Sequence, residues 1–157
     1  MLRALLVVLA FVLIPALASA ADLTVIGLNG KALVLSAKDL ADLPRSEVKT
    51  PGPKAIAYDG PTLAGVLRLA GAPSGPMLHG AAMRDYVVVA GKDGFAAVLS
   101  LAETNAELHQ GAVILADHED GAPLPPREGP LRLVIAGDLK PYRSVRNVER
   151  ITLEMAK

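Results

Sequence analysis

The 157-residue chain contains no cysteine and no tryptophan, and only three tyrosines and two phenylalanines. Without cysteine there is no disulfide to staple a small exported fold and no thiolate to attack a substrate or ligate a metal. A net excess of either charge is missing too, because 16 basic residues balance 16 acidic ones. That balance disfavours general binding to nucleic acid or an anionic membrane, which needs a broad excess of Lys and Arg. No Gly-x-Gly-x-x-Gly opens a helix and no Gly-Lys-Ser/Thr occurs, so nucleotide cradles are excluded. A nucleophile elbow of the Gly-x-Ser-x-Gly type is also absent. The three histidines, His79, His109 and His118, lack the close spacing that brings two imidazoles onto one zinc ion.

What is present begins with "MLRALLVVLAFVLIPALASA". One early arginine, a short apolar run and small residues at Ala18 and Ala20 have the form of a secretory signal peptide over residues 1–20. The expectation is export, cleavage after Ala20 and a periplasmic location. Since Arg3 is the only charge in that segment, residues 21–157 stay close to neutral. They contain no repeat or charge block and suit one domain.

Within that domain, "DLTVIGLNGKALVLS" places Asn29-Gly30 between two apolar runs and predicts a hairpin. Ser36 is positioned to cap a short helix with Leu40 and Leu43 on its apolar face. "KAIAYDGPTLAGVLRLAGAP" predicts a strand and then a helix with Leu63, Val66, Leu67 and Ala70 on one side, stopped by Gly71 and Pro73. "DYVVVAGKDGFAAVLSL" predicts a second hairpin, with Phe95, Ala97 and Leu99 alternating. "AVILAD", "PLRLVIAG" and "RITLEM" add three more strands. The fold class is therefore α+β, a mostly antiparallel sheet with a few short helices.

Two polar clusters invite a chemical reading. "DHEDG", from Asp117 to Gly121, gathers carboxylates around His118, but its place between strands favours a solvated turn over a cation site. The other is a basic run. Arg132 alternates with Leu131 and Leu133, as on the exposed face of an edge strand. Arg143 and Arg146 stand three apart, so a helical turn would put both guanidiniums on one side, beside Tyr142. Such forks suit phosphate or carboxylate. A solvated charged face remains the competing reading.

The order of Gly60-Pro61 with Leu63, Asp93-Gly94-Phe95, Asp120-Gly121 with Leu124, and Gly129-Pro130-Leu131-Arg132-Leu133-Val134 resembles the oxidoreductase molybdopterin-binding domain, the sulfite-oxidase-like fold. The resemblance runs from about Thr50 to Leu153. Catalytic members of that family hold molybdenum through a cysteine before the "GPTL"-type helix, and "EVKTPGPKAIAYDG" has none. The resemblance therefore implies a pocket for a pterin or molybdopterin without a protein-ligated metal. It leans towards a non-enzymatic binding role, similar to small exported pterin-binding proteins that regulate a membrane-bound signalling enzyme. A periplasmic domain of a membrane protein is the implied partner. An oxidoreductase subunit holding molybdopterin through the pterin alone, and a ligand-free adaptor domain, stand as the alternatives.

A pterin needs a ring to stack on and hydrogen-bonding groups at its edge. The family's ligand-facing loop resembles "MRDYVVV", which selects Tyr86 flanked by Arg84 and Asp85, although Tyr86 is equally suited to a buried strand. Arg132, Arg143 and Arg146 complete the expected ligand-binding set, the last two for a phosphate.

Overall fold

The computed structural model describes residues 22–157, so the segment read as a signal peptide lies outside the described residues. Strands β1 (Leu23–Ile26) and β2 (Ala32–Leu35) form the first hairpin, with Gly30 at φ 73° in the turn. Helix α1 (Ala37–Ala41) follows, started by a capping box in which the Ser36 hydroxyl accepts from the Asp39 amide and the Asp39 carboxylate accepts from the Ser36 amide. That bonding holds the Asp39 carboxyl below its usual pKa.

Strand β3 (Arg45–Lys49) leads into β4 (Ala57–Pro61), and α2 (Leu63–Leu69) starts at Thr62, whose hydroxyl accepts from the Gly65 amide. Leu63, Val66 and Leu67 face the core as their spacing predicts, and Gly71 adopts φ 81° just past the helix. The second hairpin pairs β5 (Asp85–Gly91) with β6 (Ala96–Ser100). Ala97 and Leu99 are buried there, whereas Phe95 precedes the strand and is 48% exposed, so the expected alternation begins two residues late. The remaining strands are β7 (Val113–Ala116), β8 (His118–Glu119), β9 (Ala122–Pro123), β10 (Arg132–Ile135) and β11 (Val148–Met155).

These strands form three sheets. One has the order β2-β1-β11-β5-β6, one is the β10-β7 pair, and one has the order β3-β4-β8-β9. Every pairing is antiparallel except β1 with β11. The architecture is thus mostly antiparallel with two short α-helices and several single 3-10 turns, as the sequence pattern implies. Among the described residues no helix is long and apolar enough to cross a membrane.

The β7–β10 pair is a two-sided wall. Val113, Leu115, Leu133 and Ile135 pack into the larger core with Leu23, Val25, Leu63, Val87 and Ile151. Ile114, Ala116 and Val134 face a smaller core with Val48, Tyr58 and Leu124. All eight residues of the pair are buried. Arg132 belongs to β10 and is 6% exposed, so it is not on a solvated edge-strand face. Alternation along a strand marks an exposed face only when one side meets water, and here neither does.

Strand β4 crosses β7 closely because residue 60 is glycine. A Cβ there would fall inside contact distance of the Leu115 carbonyl and the Ala116 Cα. Gly60→Ala is therefore expected to lower folding stability by about 3 kcal/mol, the upper part of the usual range for overpacking, read from the urea midpoint. Arg45 on β3 joins this sheet to the β7–β8 turn by ion pairs with Asp59 and Asp117, the latter at 2.6 Å. Burial pushes the Asp117 carboxyl up, but hydrogen bonds from Arg45 and His118 outweigh it and the net pKa is lowered. A carboxyl depressed on folding stabilises the native state above its unfolded pKa of about 3.9 and loses that contribution as pH falls through the folded value. Acid unfolding followed from neutral pH downward is expected to show a shallower loss in Asp117→Asn, which has no proton to take up, although that variant starts from lower stability.

Candidate functional site

Arg132 is carried into the smaller core by the wall strand that bears it. Its Nε donates to the Ser144 hydroxyl at 2.8 Å and its Nη1 to the Tyr58 hydroxyl at 2.7 Å. Glu128, four residues earlier and 7% exposed, forms an ion pair with the same Nη1. The guanidinium carbon also lies 4.9 Å from the centre of the Tyr58 ring, within the range of a cation–π contact. A buried charge is tolerated only when it is paired and hydrogen-bonded, and both conditions are met. No hydrogen bond among the described residues uses Arg132 Nη2. Burial pushes the Tyr58 hydroxyl pKa up, against the opposing pull of Arg132. The hydroxyl therefore keeps its own proton at neutral pH and can donate it while accepting from Arg132.

This cluster is the inner end of a cavity of about 340 Å³, lined also by Val48, Lys49, Thr50, Ile56, Lys140 and Arg146. Four basic side chains line it, Lys49, Arg132, Lys140 and Arg146, against two acidic ones, Glu128 and Asp138. Ser144 and Arg146 reach the lining from a segment that runs on to Asn147. Its backbone is fixed from both sides: the Leu133 amide donates to the Val145 carbonyl, the Asn147 amide to the Glu128 carbonyl, and the Lys92 amide to the Asn147 carbonyl. Asn147 takes φ 48°, and Gly91 leaves room for the Arg146 carbonyl, which a Cβ there would strike.

The six residues selected from sequence separate in this geometry. Arg132 and Arg146 line the cavity, and Arg146 lies 3.9 Å from Glu128 with a side chain 55% exposed. Arg143 does not join them. The expected helical turn is a three-residue 3-10 turn, Pro141–Arg143, which ends before Arg146. Arg143 instead ties Asp138, at 2.8 Å, to Glu103, at 3.0 Å, and Tyr142 is exposed. Its guanidinium pKa is raised by the Asp138 hydrogen bond first and the Glu103 bond second.

Tyr86, Arg84 and Asp85 sit at the start of β5, and none lines the cavity. Val87 and Val89 face the large core, which puts Tyr86 on the outer face of the sheet, where its hydroxyl donates to Glu154. Asp85 is buried, and Arg84 reaches the Met155 sulfur at 3.7 Å. The aromatic ring at the cavity is Tyr58. Its signal in the sequence was a lone tyrosine in the strand before Asp59-Gly60-Pro61, and Glu128 was a carboxylate four residues ahead of an arginine in an apolar run.

The "DHEDG" stretch forms the tight β8–β9 hairpin, with Asp120 at φ 47° and Gly121 at φ 80°. Ligand atoms of Asp59, Asp117 and His118 come within 4.8 Å of one another, but the Arg45 guanidinium already binds both carboxylates.

No curated protein matches the chain in sequence. Among solved structures it is similar to the sulfane dehydrogenase SoxCD from Paracoccus pantotrophus, at a TM-score of 0.61 and 19% identity. That match covers 85% of this chain and 38% of the SoxCD chain, so this chain spans well under half of the neighbour's length, and the likeness is one of fold. The family model for the oxidoreductase molybdopterin binding domain matches residues 52–157, a range that takes in Tyr58, Glu128, Arg132, Ser144 and Arg146. The chain belongs to the oxidoreductase molybdopterin-binding domain family.

Proposed function

We propose that this protein is an exported, non-enzymatic binding protein for a pterin or molybdopterin-like ligand, held in the Tyr58–Arg132 cavity without a protein-ligated metal. The observation that carries the reading is a buried arginine with unused donors at the inner end of a cationic cavity, in a family that binds molybdopterin. The cavity's volume lies within the range of small-molecule sites, about 300–1,000 Å³. Tyr58 and the Arg132 guanidinium offer donors to the edge of a pterin, Glu128 offers an acceptor, and Lys140 and Arg146 suit a phosphate. The donor set fits the organic cofactor. It does not fit the family's metal ligation, because the chain has no cysteine to supply a thiolate.

The apolar N-terminal run of residues 1–20 supports export to the periplasm, where a membrane protein's periplasmic domain would read the bound state. An oxidoreductase subunit is the second reading, favoured by family membership alone. Molybdenum near one per chain in protein isolated from its native periplasm would select it over the binding protein.

Calorimetric titration with oxidised pterin, reduced pterin and molybdopterin tests the first reading, and an absence of heat with all three at millimolar concentration would reject it. Arg146→Ala is expected to weaken a phosphorylated ligand about tenfold, the value of one charge-assisted contact, with little change in melting temperature. Arg143→Ala is expected to do the reverse. It should leave affinity unchanged and lower stability by about 0.5–1 kcal/mol through its two partly exposed ion pairs, measured by thermal melting.

A further inference from the structure

The five-stranded sheet packs one face on the large core, through Val25, Val87, Val89, Leu99 and Ile151. Successive side chains on a strand alternate between faces, so the residues between these point outward. In an antiparallel sheet with one wet face, the outward positions are ordinarily polar. Here they are not. The register aligns Ala32, Ile26, Thr152, Val88 and Val98 in one row across all five strands, without a charge. None of the five belongs to either core cluster. Val98 on one edge strand is 56% exposed, and Val34 on the other is 59% exposed.

The rows on either side of this one carry the only charged residues of the face. Both are on β11, the third strand of the five: Arg150, in register with Thr24 and Ala90, and Glu154, in register with Tyr86. They stand two residues before and two after Thr152, and both are exposed. A strand rises about 3.4 Å per residue, which puts them about 13 Å apart on one chain, too far to pair with each other. Among the described residues neither forms an ion pair, and Glu154 accepts only from the Tyr86 hydroxyl. The face is thus apolar along its middle and oppositely charged at equal distances from its centre.

We infer that this face is the interface of a homodimer, in which two copies pack sheet on sheet with their β11 strands antiparallel across a two-fold axis at Thr152. The axis reverses the strand direction, so Arg150 of each copy meets Glu154 of the other, and both ion pairs form at once. A surface that complements itself in this way is what an isologous contact requires. Stacked sheets lie about 10 Å apart, a gap that a facing arginine and glutamate can span. The uncharged row between the two pairs supplies the apolar contact on which homodimer interfaces rely. Five strands and three outward rows make a face about 20 Å by 15 Å, small for a stable complex, so the dimer is expected to dissociate in the micromolar range. The Tyr58–Arg132 cavity shares no residue with this face, and dimerisation leaves it open.

Sedimentation equilibrium of the purified protein, from about 1 µM to about 1 mM, tests the inference. The mass is expected to rise from that of one chain to that of two. Arg150→Glu and Glu154→Arg should each weaken the dimer at least about tenfold, because like charges then face each other at both symmetry-related pairs. The double variant, Arg150→Glu with Glu154→Arg, should recover the dimer of the unaltered protein. Thr152→Lys sets two ammonium groups against each other on the axis and should leave only monomer, without touching the Tyr86–Glu154 bond. Melting temperatures close to that of the unaltered protein would show that each variant folds. Three results overturn the inference: a single-chain mass across the whole range, which would assign the face to a different partner; a dimer indifferent to both single reversals; or a double variant no tighter than the singles.

Discussion

The guanidinium of Arg132 is the constraint around which the smaller core is arranged. A charge 6% exposed must have its counter-charge beside it, and Glu128 is brought there by the turn that precedes β10. Tyr58 arrives from β4, 74 residues away in sequence, and Ser144 from the segment after the Pro141–Arg143 turn. Removing any one of these leaves a buried polar group unpaired, which costs more than the intact contact contributes. The cavity exists because these three segments must converge on one side chain.

That convergence needs a rigid support, and the β7–β10 pair provides it. One face of the pair closes the large core under the five-stranded sheet, and the other closes the small core under β3 and β4. Gly60 lets β4 lie against the β7 backbone at a distance no side chain would allow. Tyr58 and Arg132 therefore sit on strands, β4 and β10, a more exact placement than a surface loop gives.

Local chemistry was readable where it determines local structure. Asn29-Gly30 and Asp93-Gly94 mark the two large hairpins, Ser36 caps α1, and Leu63, Val66 and Leu67 give the buried face of α2. Strand β3 was missed because "RSEVK" buries only Val48 and shows no apolar period. The parallel pairing of β1 with β11 joins opposite ends of the domain and leaves no mark in either segment. In the site the same division holds. Arg132 and Arg146 were found because charge concentrates near them, but Tyr58 became their neighbour only through tertiary packing. Arg143 was grouped with Arg146 by spacing, and Asp138 and Glu103 drew it away.

The contact between Gly91 and the Arg146 carbonyl bears on the thermodynamics of recognition. Together with the Lys92 and Asn147 backbone bonds, it clamps the segment that carries Arg146 to the end of β5. A segment already held in one conformation has little backbone entropy left to surrender when a ligand arrives, so more of the contact energy appears as affinity. The ordering cost of this segment falls on folding, and only the exposed side chain of Arg146 would remain to be immobilised by the proposed ligand.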